Sequence, residues 1–301
     1  MTTLTHLRPA PVIDETARLV TEHYVFPETA EQLADLLRRR LAEGAYDVGD
    51  AEKLARLVTA DLQSVNGDKH LRLKYHADPV SPEQGAATLE SIRRDFDTSL
   101  GGAPRVELLH GGVAVVELAP MLFPLDWAAE PLTAALTLAA RAQALIVDLR
   151  GNRGGDPDTV AFVCSYLLDE RTHLNTMYWR SGERTEQSWS LPHVPGARFG
   201  GSKPLYVLSS ATTFSAAEEL TYDLQQLGRA TVVGEPTRGG AHPCKGWTVH
   251  PHLEATVPTG RAINPVSGTN WEGTGVQPDV PCPAPESLTR AHTLALAQLT
   301  T

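Results

Sequence analysis

From Val106 onward short apolar runs alternate with helix-like segments, and this alternation constrains the fold more than any other feature of the chain. Val113 to Leu118 reads as a strand, Trp127 to Arg141 as a helix rich in Ala and Leu, and Ala144 to Leu149 (ALIVDL) as a strand apolar on both faces. A helix from Asp156 to Leu168 follows, then a polar excursion to about Gly201. The strand Leu205 to Ser210, the helix Ala216 to Leu227 and the strand Ala230 to Gly234 continue the pattern. Strands that bury both faces and are separated by helices imply a largely parallel sheet covered by helices. Function in such folds sits in loops at strand ends.

The preceding part has a different texture. Residues 11–63 read as three helices, and in the middle one Leu33, Leu36, Leu37 and Leu41 recur at helical spacing, with Pro27 and Glu28 suited to a first turn and Gly44 to a stop. In LRLKY, Leu71, Leu73 and Tyr75 alternate with basic residues as in a half-buried strand. A looser stretch with Pro79, Pro82, Gly85, Gly101 and Gly102 has weak periodicity and reads as a connection. The expected organisation is a helical domain over 1–75, ending in the loop that carries His70, a connecting segment over 76–105, and an α/β domain over 106–301.

Composition narrows the function. The 301 residues are 42% hydrophobic and 21% charged, which is globular. A formal charge of −10 argues against nucleic acid as a partner, because phosphate backbones are bound by clustered Lys and Arg. The short basic run Arg38, Arg39, Arg40 reads as the polar end of a helix. No apolar run approaches the roughly 18–20 residues of a membrane span, so no membrane partner is expected. Cys164, Cys244 and Cys282 are too scattered for a disulfide framework or a paired zinc motif. His242, Cys244, His250 and His252 do not make a recognised ligand set, so neither a metal nor another cofactor is expected. The first 20 residues lack a basic leader and a continuous apolar segment, and a cytoplasmic location is the simplest expectation.

Four segments could carry chemistry. After ALIVDL the chain reads Arg150-Gly151-Asn152-Arg153-Gly154-Gly155 and opens a helix with Asp156 and Asp158 in its first turn. Glycines there let backbone N–H groups face an anion or oxyanion, although a tight turn explains them equally well. No Gly-Lys-Ser/Thr follows, so this is not a nucleotide P-loop. Ser215 stands at the mouth of a helix after the strand PLYVLSS, beside the N–H of Ala216 and the positive helix end. Serines at this position commonly act as N-caps, and Glu218 would complete a capping box. His70 follows Asp68 and Lys69 in the loop before LRLKY, and Glu272 lies between Trp271 and Gly273 in NWEGTGVQPDV. Each of these two taken alone reads as an ordinary surface or hydrogen-bonded residue.

Taken together, DLRGNRGG, SSATTFSAAEE, VVGEPTRGGAHP, INPVSGTNWEGTGVQPDV and GDKHLRLKY resemble serine peptidase family forty-one, the tail-specific or C-terminal processing protease family. The branch most similar is the interphotoreceptor retinoid-binding protein-like and tricorn-like one. The resemblance spans residues 12 to 285 or so and implies a crotonase-like or ClpP-like α/β domain of repeating ββα units behind a small N-terminal helical domain. The connecting segment is far too short for a PDZ domain, so none is expected. By resemblance Ser215 matches the nucleophile. The position of the lysine base in the tail-specific enzymes is Gly240 here, which excludes a Ser-Lys dyad. The tricorn-like pattern instead implies His70 as general base and Glu272 as the residue that orients it, with the N–H groups of Gly155 and Ala216 as the oxyanion hole. Lys69 departs from that pattern, which has a serine before the histidine.

These roles make chemical sense in their own right. A serine hydroxyl needs a base, a histidine suits neutral pH, and a carboxylate fixes its tautomer. The implied function is a serine hydrolase, a peptidase working through an acyl-enzyme on Ser215, acting on peptides or small acyl substrates. Two alternatives on the same scaffold are a non-catalytic binding module for hydrophobic ligands and a biosynthetic esterase or lactonase. Arg238 and Arg261 could bind a substrate carboxylate or be surface charges, and the stretch from Leu174 to Gly201, with Trp179, Trp189 and Phe199, could be a lid or a packed loop.

Overall fold

In chain order the elements are α1 (Pro9–His23), α2 (Pro27–Ala42), α3 (Ala51–Gln63), β1 (Arg72–Tyr75), α4 (Gln84–Thr98), β2 (Arg105–Leu109), β3 (Val113–Glu117), α5 (Leu125–Ala139), β4 (Ala144–Asp148) and α6 (Pro157–Leu167). There follow β5 (His173–Trp179), β6 (Arg184–Trp189), β7 (Leu205–Ser209), α7 (Ala216–Gln226), β8 (Thr231–Gly234), β9 (Cys244–His250), β10 (Leu253–Pro258), β11 (Gly260–Ile263), β12 (Val280–Pro281) and α8 (Ala284–Leu299). The structure is a computed structural model, and it describes residues 7–80 and 84–300. The chain divides into two compact units.

The first unit comprises Met1–Thr88, Tyr178–Thr185 and His242–Arg261. Its helices start where local chemistry favours it. Pro27 occupies the first turn of α2, where its missing N–H costs nothing, and the Asp50 carboxylate caps α3 by accepting the Lys53 N–H at 2.6 Å. Arg39 and Arg40 lie in the last turn of α2, against the negative end of its dipole. Ile13, Val20, Leu33, Leu37, Leu54, Val58 and Leu62 bury one face of each helix in a common core. The antiparallel sheet β1-β10-β9 joins that core through Leu73, Leu253, Ala255 and Val257, as does Leu71 just before β1.

The second unit comprises Leu89–Met177, Glu186–Ala241 and Ala262–Thr301. Its six-stranded sheet runs β12-β8-β7-β4-β3-β2, parallel throughout except for the antiparallel pair β2 and β3. The apolar run of β4 serves both faces. Leu145 and Val147 pack with α5, α6 and α7, while Ala144 and Ile146 pack with Ala291 and Ala295 of α8. Parallel strands bring the ends of β3, β4 and β7 to one edge, where the two glycine- and serine-bearing loops begin.

Two stretches differ from the sequence-based reading. The looser segment contains α4, whose Ile92 and Phe96 pack against the second unit's core, an i, i+4 pair outweighed in the sequence by the surrounding Pro and Gly. The excursion after α6, considered above as a lid or loop, holds strands β5 and β6. The six residues of β6 are exposed or half-buried, so no apolar alternation marks the strand. In β5, β6 and β11, which form the sheet β11-β5-β6, the chain passes from one unit to the other.

Candidate active site

Ser215 ends the turn between β7 and α7 with φ 56° and ψ −125°, a backbone conformation that a non-glycine residue rarely adopts. Sharp strand-to-helix turns of this kind lift a serine hydroxyl clear of its own backbone. The strain is held in place by hydrogen bonds from three loops. The Phe214 N–H donates to Asn152 O at 3.2 Å, and Thr213 Oγ1 donates to Leu149 O at 2.9 Å, which tie the turn to the loop after β4. Asn152 is fully buried and spans that loop, donating from Nδ2 to Leu118 O and accepting the Gly154 N–H at Oδ1, both at 2.9 Å.

Gly154 is required by close approach. With φ 106°, a Cβ there would lie 2.7 Å from the Ser215 Cβ and 3.0 Å from Phe214 O. Leu122 forms a parallel bridge with Gly155, donating to Gly154 O at 2.7 Å and accepting from Asp156 N at 2.9 Å. That register turns the Gly155 N–H away from Leu122. The Ala216 N–H belongs to the first turn of α7, where helical geometry supplies no intrahelical acceptor. Among the described residues, neither N–H has a hydrogen-bond acceptor.

The most heavily bonded group around Ser215 is Glu218, fully buried in the first turn of α7. Its Oε2 accepts the Ser215 N–H at 2.8 Å and the Gly240 N–H at 2.9 Å, and its Oε1 accepts the Gly239 N–H at 2.6 Å and the Thr237 hydroxyl. Burial pushes its pKa up, opposed by these four donors. The capping spacing seen in the sequence thus marks a larger role, clamping the loop 237–240 to the serine turn. The same loop holds the segment around Glu272. Trp271 Nε1 donates to Gly240 O at 2.9 Å, the Gly273 N–H donates to Gly239 O at 3.1 Å, and Glu272 Oε2 accepts the Ala241 N–H at 2.5 Å. Ser215, Ala216, Gly155 and Glu272 all belong to the second unit.

His70 belongs to the first unit, where it is 7% exposed. Its N–H donates to Asp68 Oδ1 at 3.1 Å and its carbonyl accepts the Thr256 hydroxyl at 2.8 Å. Asp68 is fully buried, and its Oδ2 accepts the Tyr24 hydroxyl at 2.9 Å and lies 2.8 Å from His242 Nδ1. A carboxylate can only accept, so Nδ1 of His242 carries the proton. Sequence reasoning missed Asp68; two residues before a candidate histidine, its position was the available signal. The histidines weighed for a metal have protein partners: His242 with Asp68, His250 Nδ1 accepting the His252 N–H, and His252 Nδ1 at 2.9 Å from His76 O.

Deeper in α7 two further acids are buried. Glu219 accepts from Asn175 Nδ2 and Asp223 from Asn264 Nδ2, each at 3.0 Å. Burial raises the pKa of both, and the Glu219 charge adds to the rise at Asp223. Burial also pushes up the thiol of Cys164.

Ser215 thus stands strained between two glycine-rich loops, next in the chain to Ala216 and pressed by Gly154. The family model described as Peptidase family S41 matches residues 113–282. The chain belongs to peptidase family S41. A second model, described as the N-terminal domain of Peptidase_S41 in eukaryotic IRBP, matches residues 3–95 of this S41 chain. Among solved structures, a candidate peptidase from Parabacteroides merdae is 18% identical with a TM-score of 0.64, the match covering 98% of each chain. The photosystem II D1 C-terminal processing protease is 17% identical with a TM-score of 0.51, covering 96% of this chain and 99% of that one. The tricorn protease is 13% identical with a TM-score of 0.58, covering 96% of this chain and 36% of that one. These likenesses show an S41 fold, a helical N-terminal region followed by a mixed α/β sheet domain, as the motifs led one to expect.

Proposed function

We propose that this S41 chain is a serine peptidase that cleaves peptide bonds through an acyl-enzyme on Ser215. The observation that carries the reading is the conformation of Ser215, φ 56° at a strand-to-helix turn, held by Glu218 and crowded by Gly154. Strain of this size, about 1–3 kcal/mol, persists where surrounding structure over-determines it. A plain N-cap serine has extended backbone and needs no such enclosure.

His70 is assigned as general base and Glu272 as the carboxylate that orients it. Ser215 Oγ attacks the scissile carbonyl carbon while His70 takes its proton. The N–H groups of Gly155 and Ala216 receive the oxyanion, each worth on the order of 3 kcal/mol in the transition state. Collapse of the tetrahedral intermediate expels the amine, which leaves with the proton from His70. Water then loses a proton to His70 and attacks the acyl carbon, and the returned proton frees Ser215. Asp68 is a positioning residue for this base, holding the His70 backbone N–H.

The test is acylation by a fluorophosphonate as a function of pH in wild type, Ser215→Ala, His70→Ala and Glu272→Gln, with circular dichroism to establish folding. Labelling of wild type that rises near neutral pH, absent in Ser215→Ala and largely lost in the other two, supports the triad. Folded wild type that takes no label points to a binding module instead. Peptides and p-nitrophenyl esters assayed side by side separate a peptidase from an esterase or lactonase.

A further inference from the structure

Two exposed arginines flank the serine turn, and both are fixed to it by their backbone neighbours. Arg238 lies between Thr237 and Gly239, each of which donates to Glu218, the residue that holds the Ser215 N–H. The Arg238 N–H itself donates to Thr213 O at 3.1 Å. Its guanidinium carbon stands 4.7 Å from the ring centroid of Phe214, a buried residue directly before Ser215. Stacking on a ring face fixes the guanidinium plane and leaves its in-plane N–H donors free for a partner.

Arg153 is placed in the same way from the other side. Its N–H donates to Pro120 O at 2.9 Å. Asn152 before it accepts the Phe214 N–H, and Gly154 after it is the glycine pressed against Ser215. Among the described residues, neither Arg153 nor Arg238 has an ion-pair partner, in a chain with 36 acidic and 26 basic residues, where carboxylates are not scarce.

We propose that Arg238 and Arg153 form a carboxylate-binding subsite beside Ser215, which selects substrates carrying a carboxylate close to the bond that is cleaved. The inference rests on Ser215 being the nucleophile. The ligand chemistry is a carboxylate, supplied by an acidic side chain or by the end of a peptide chain. Guanidinium forks match its two oxygens, and charge-assisted hydrogen bonds of this kind give a directional preference that a neutral amide cannot match.

The experiment measures binding on Ser215→Ala, so that no turnover intervenes. The probes are fluorescein-labelled decapeptides in which one Glu is moved through an Ala-Gly background with an amidated end, their Gln counterparts, and a Gln series with a free carboxyl end. The expected result is that one Glu position, or the free end, binds about tenfold more tightly than its neutral match. That margin shrinks with added NaCl and falls to about onefold when Arg238→Gln or Arg153→Gln is added to the Ser215→Ala background. Whether the Glu series or the free-end series shows the margin identifies the source of the carboxylate. Equal binding of charged and neutral peptides, or a margin that survives both substitutions, overturns the subsite. Failure of fluorophosphonate labelling in wild type would instead remove the nucleophile reading, and the binding comparison is read independently of it.

Discussion

Gly154 stands so close to Ser215 that a methyl group on its Cα would lie 2.7 Å from the serine Cβ. Gly154→Ala would have to move the serine turn or the backbone of Phe214, at a cost of about 1–3 kcal/mol for overpacking in addition to the strain of φ 106°. Displacement of a nucleophile by about 1 Å costs on the order of 100-fold in rate. Gly154→Ala is therefore expected to lower the melting temperature and slow fluorophosphonate labelling by about that factor. Labelling at the wild-type rate would mean that the close packing has no bearing on Ser215.

Glu218 offers a second test of the same turn. Glu218→Ala leaves the N–H groups of Ser215, Gly239 and Gly240 and the Thr237 hydroxyl without their acceptor in a buried place. Buried donors left unpaired cost about 1–3 kcal/mol each, with partial relief from relaxation, so a loss of about 3 kcal/mol is expected. Urea unfolding of the two proteins measures it, and a loss under about 1 kcal/mol would show that Glu218 is no clamp. Glu218→Gln keeps the shape but brings an amide donor against N–H groups, and it too should destabilise the turn.

Part of the candidate site's framework was legible because the segments that build it are local. The glycine pair, Ser215 and the capping spacing to Glu218 lie in short segments whose order along the chain reflects the order of β4 and β7 in a parallel sheet. What escaped reading depends on contacts distant in sequence. Thr237, Gly239 and Gly240 meet Glu218 across 19 to 22 residues, and Asp68 meets His242 across 174. Nothing in either segment alone announces such a partner. The positive φ of Ser215 is likewise imposed from outside, since serine itself has no preference for it. Among the elements, α1 to α3 and the alternation from β3 to β8 follow from apolar periodicity, whereas exposed β6 has no periodicity to read.

Asp68 joins three partners within the first unit: the Tyr24 hydroxyl, His242 Nδ1 and the His70 backbone N–H. Tyr24→Phe deletes one hydrogen bond to the carboxylate, expected to cost about 1 kcal/mol. Asp68→Ala deprives Tyr24, His242 and the His70 N–H of their acceptor at once and should cost about 3 kcal/mol. In a double-mutant cycle the two losses should fall short of additivity, because the Tyr24–Asp68 hydrogen bond counts in both single losses, while the Asn66 Nδ2 bond to the Tyr24 hydroxyl is lost only with Tyr24. Strict additivity in urea melts would argue that the Tyr24 contact is energetically silent. Asp68→Asn should also change the pH profile of labelling at Ser215, which a purely structural role would leave in place.

The acids buried in α7 predict how stability depends on pH. Burial, with a smaller push from Asp156 and Asp158, raises Glu219 from its ordinary 4.5 to about 7, against the lowering effect of its Asn175 hydrogen bond. The folded protein therefore holds a proton that the unfolded chain has released between these values. Where the folded state binds more protons, stability falls as pH rises, by at most about 1.4 kcal/mol per pH unit for one group. The contribution is fully present below the ordinary value and is lost as pH climbs through about 7. Asp223, raised by burial and by Glu219, acts with the same sign. Glu219→Gln keeps an oxygen for Asn175 Nδ2, needs no proton and relieves Asp223 of a neighbouring charge. Urea midpoints measured from pH 5 to 8 should therefore fall in wild type and change less in Glu219→Gln, which should be the more stable of the two at pH 8. Equal slopes in the two proteins would place the pH dependence elsewhere in the molecule.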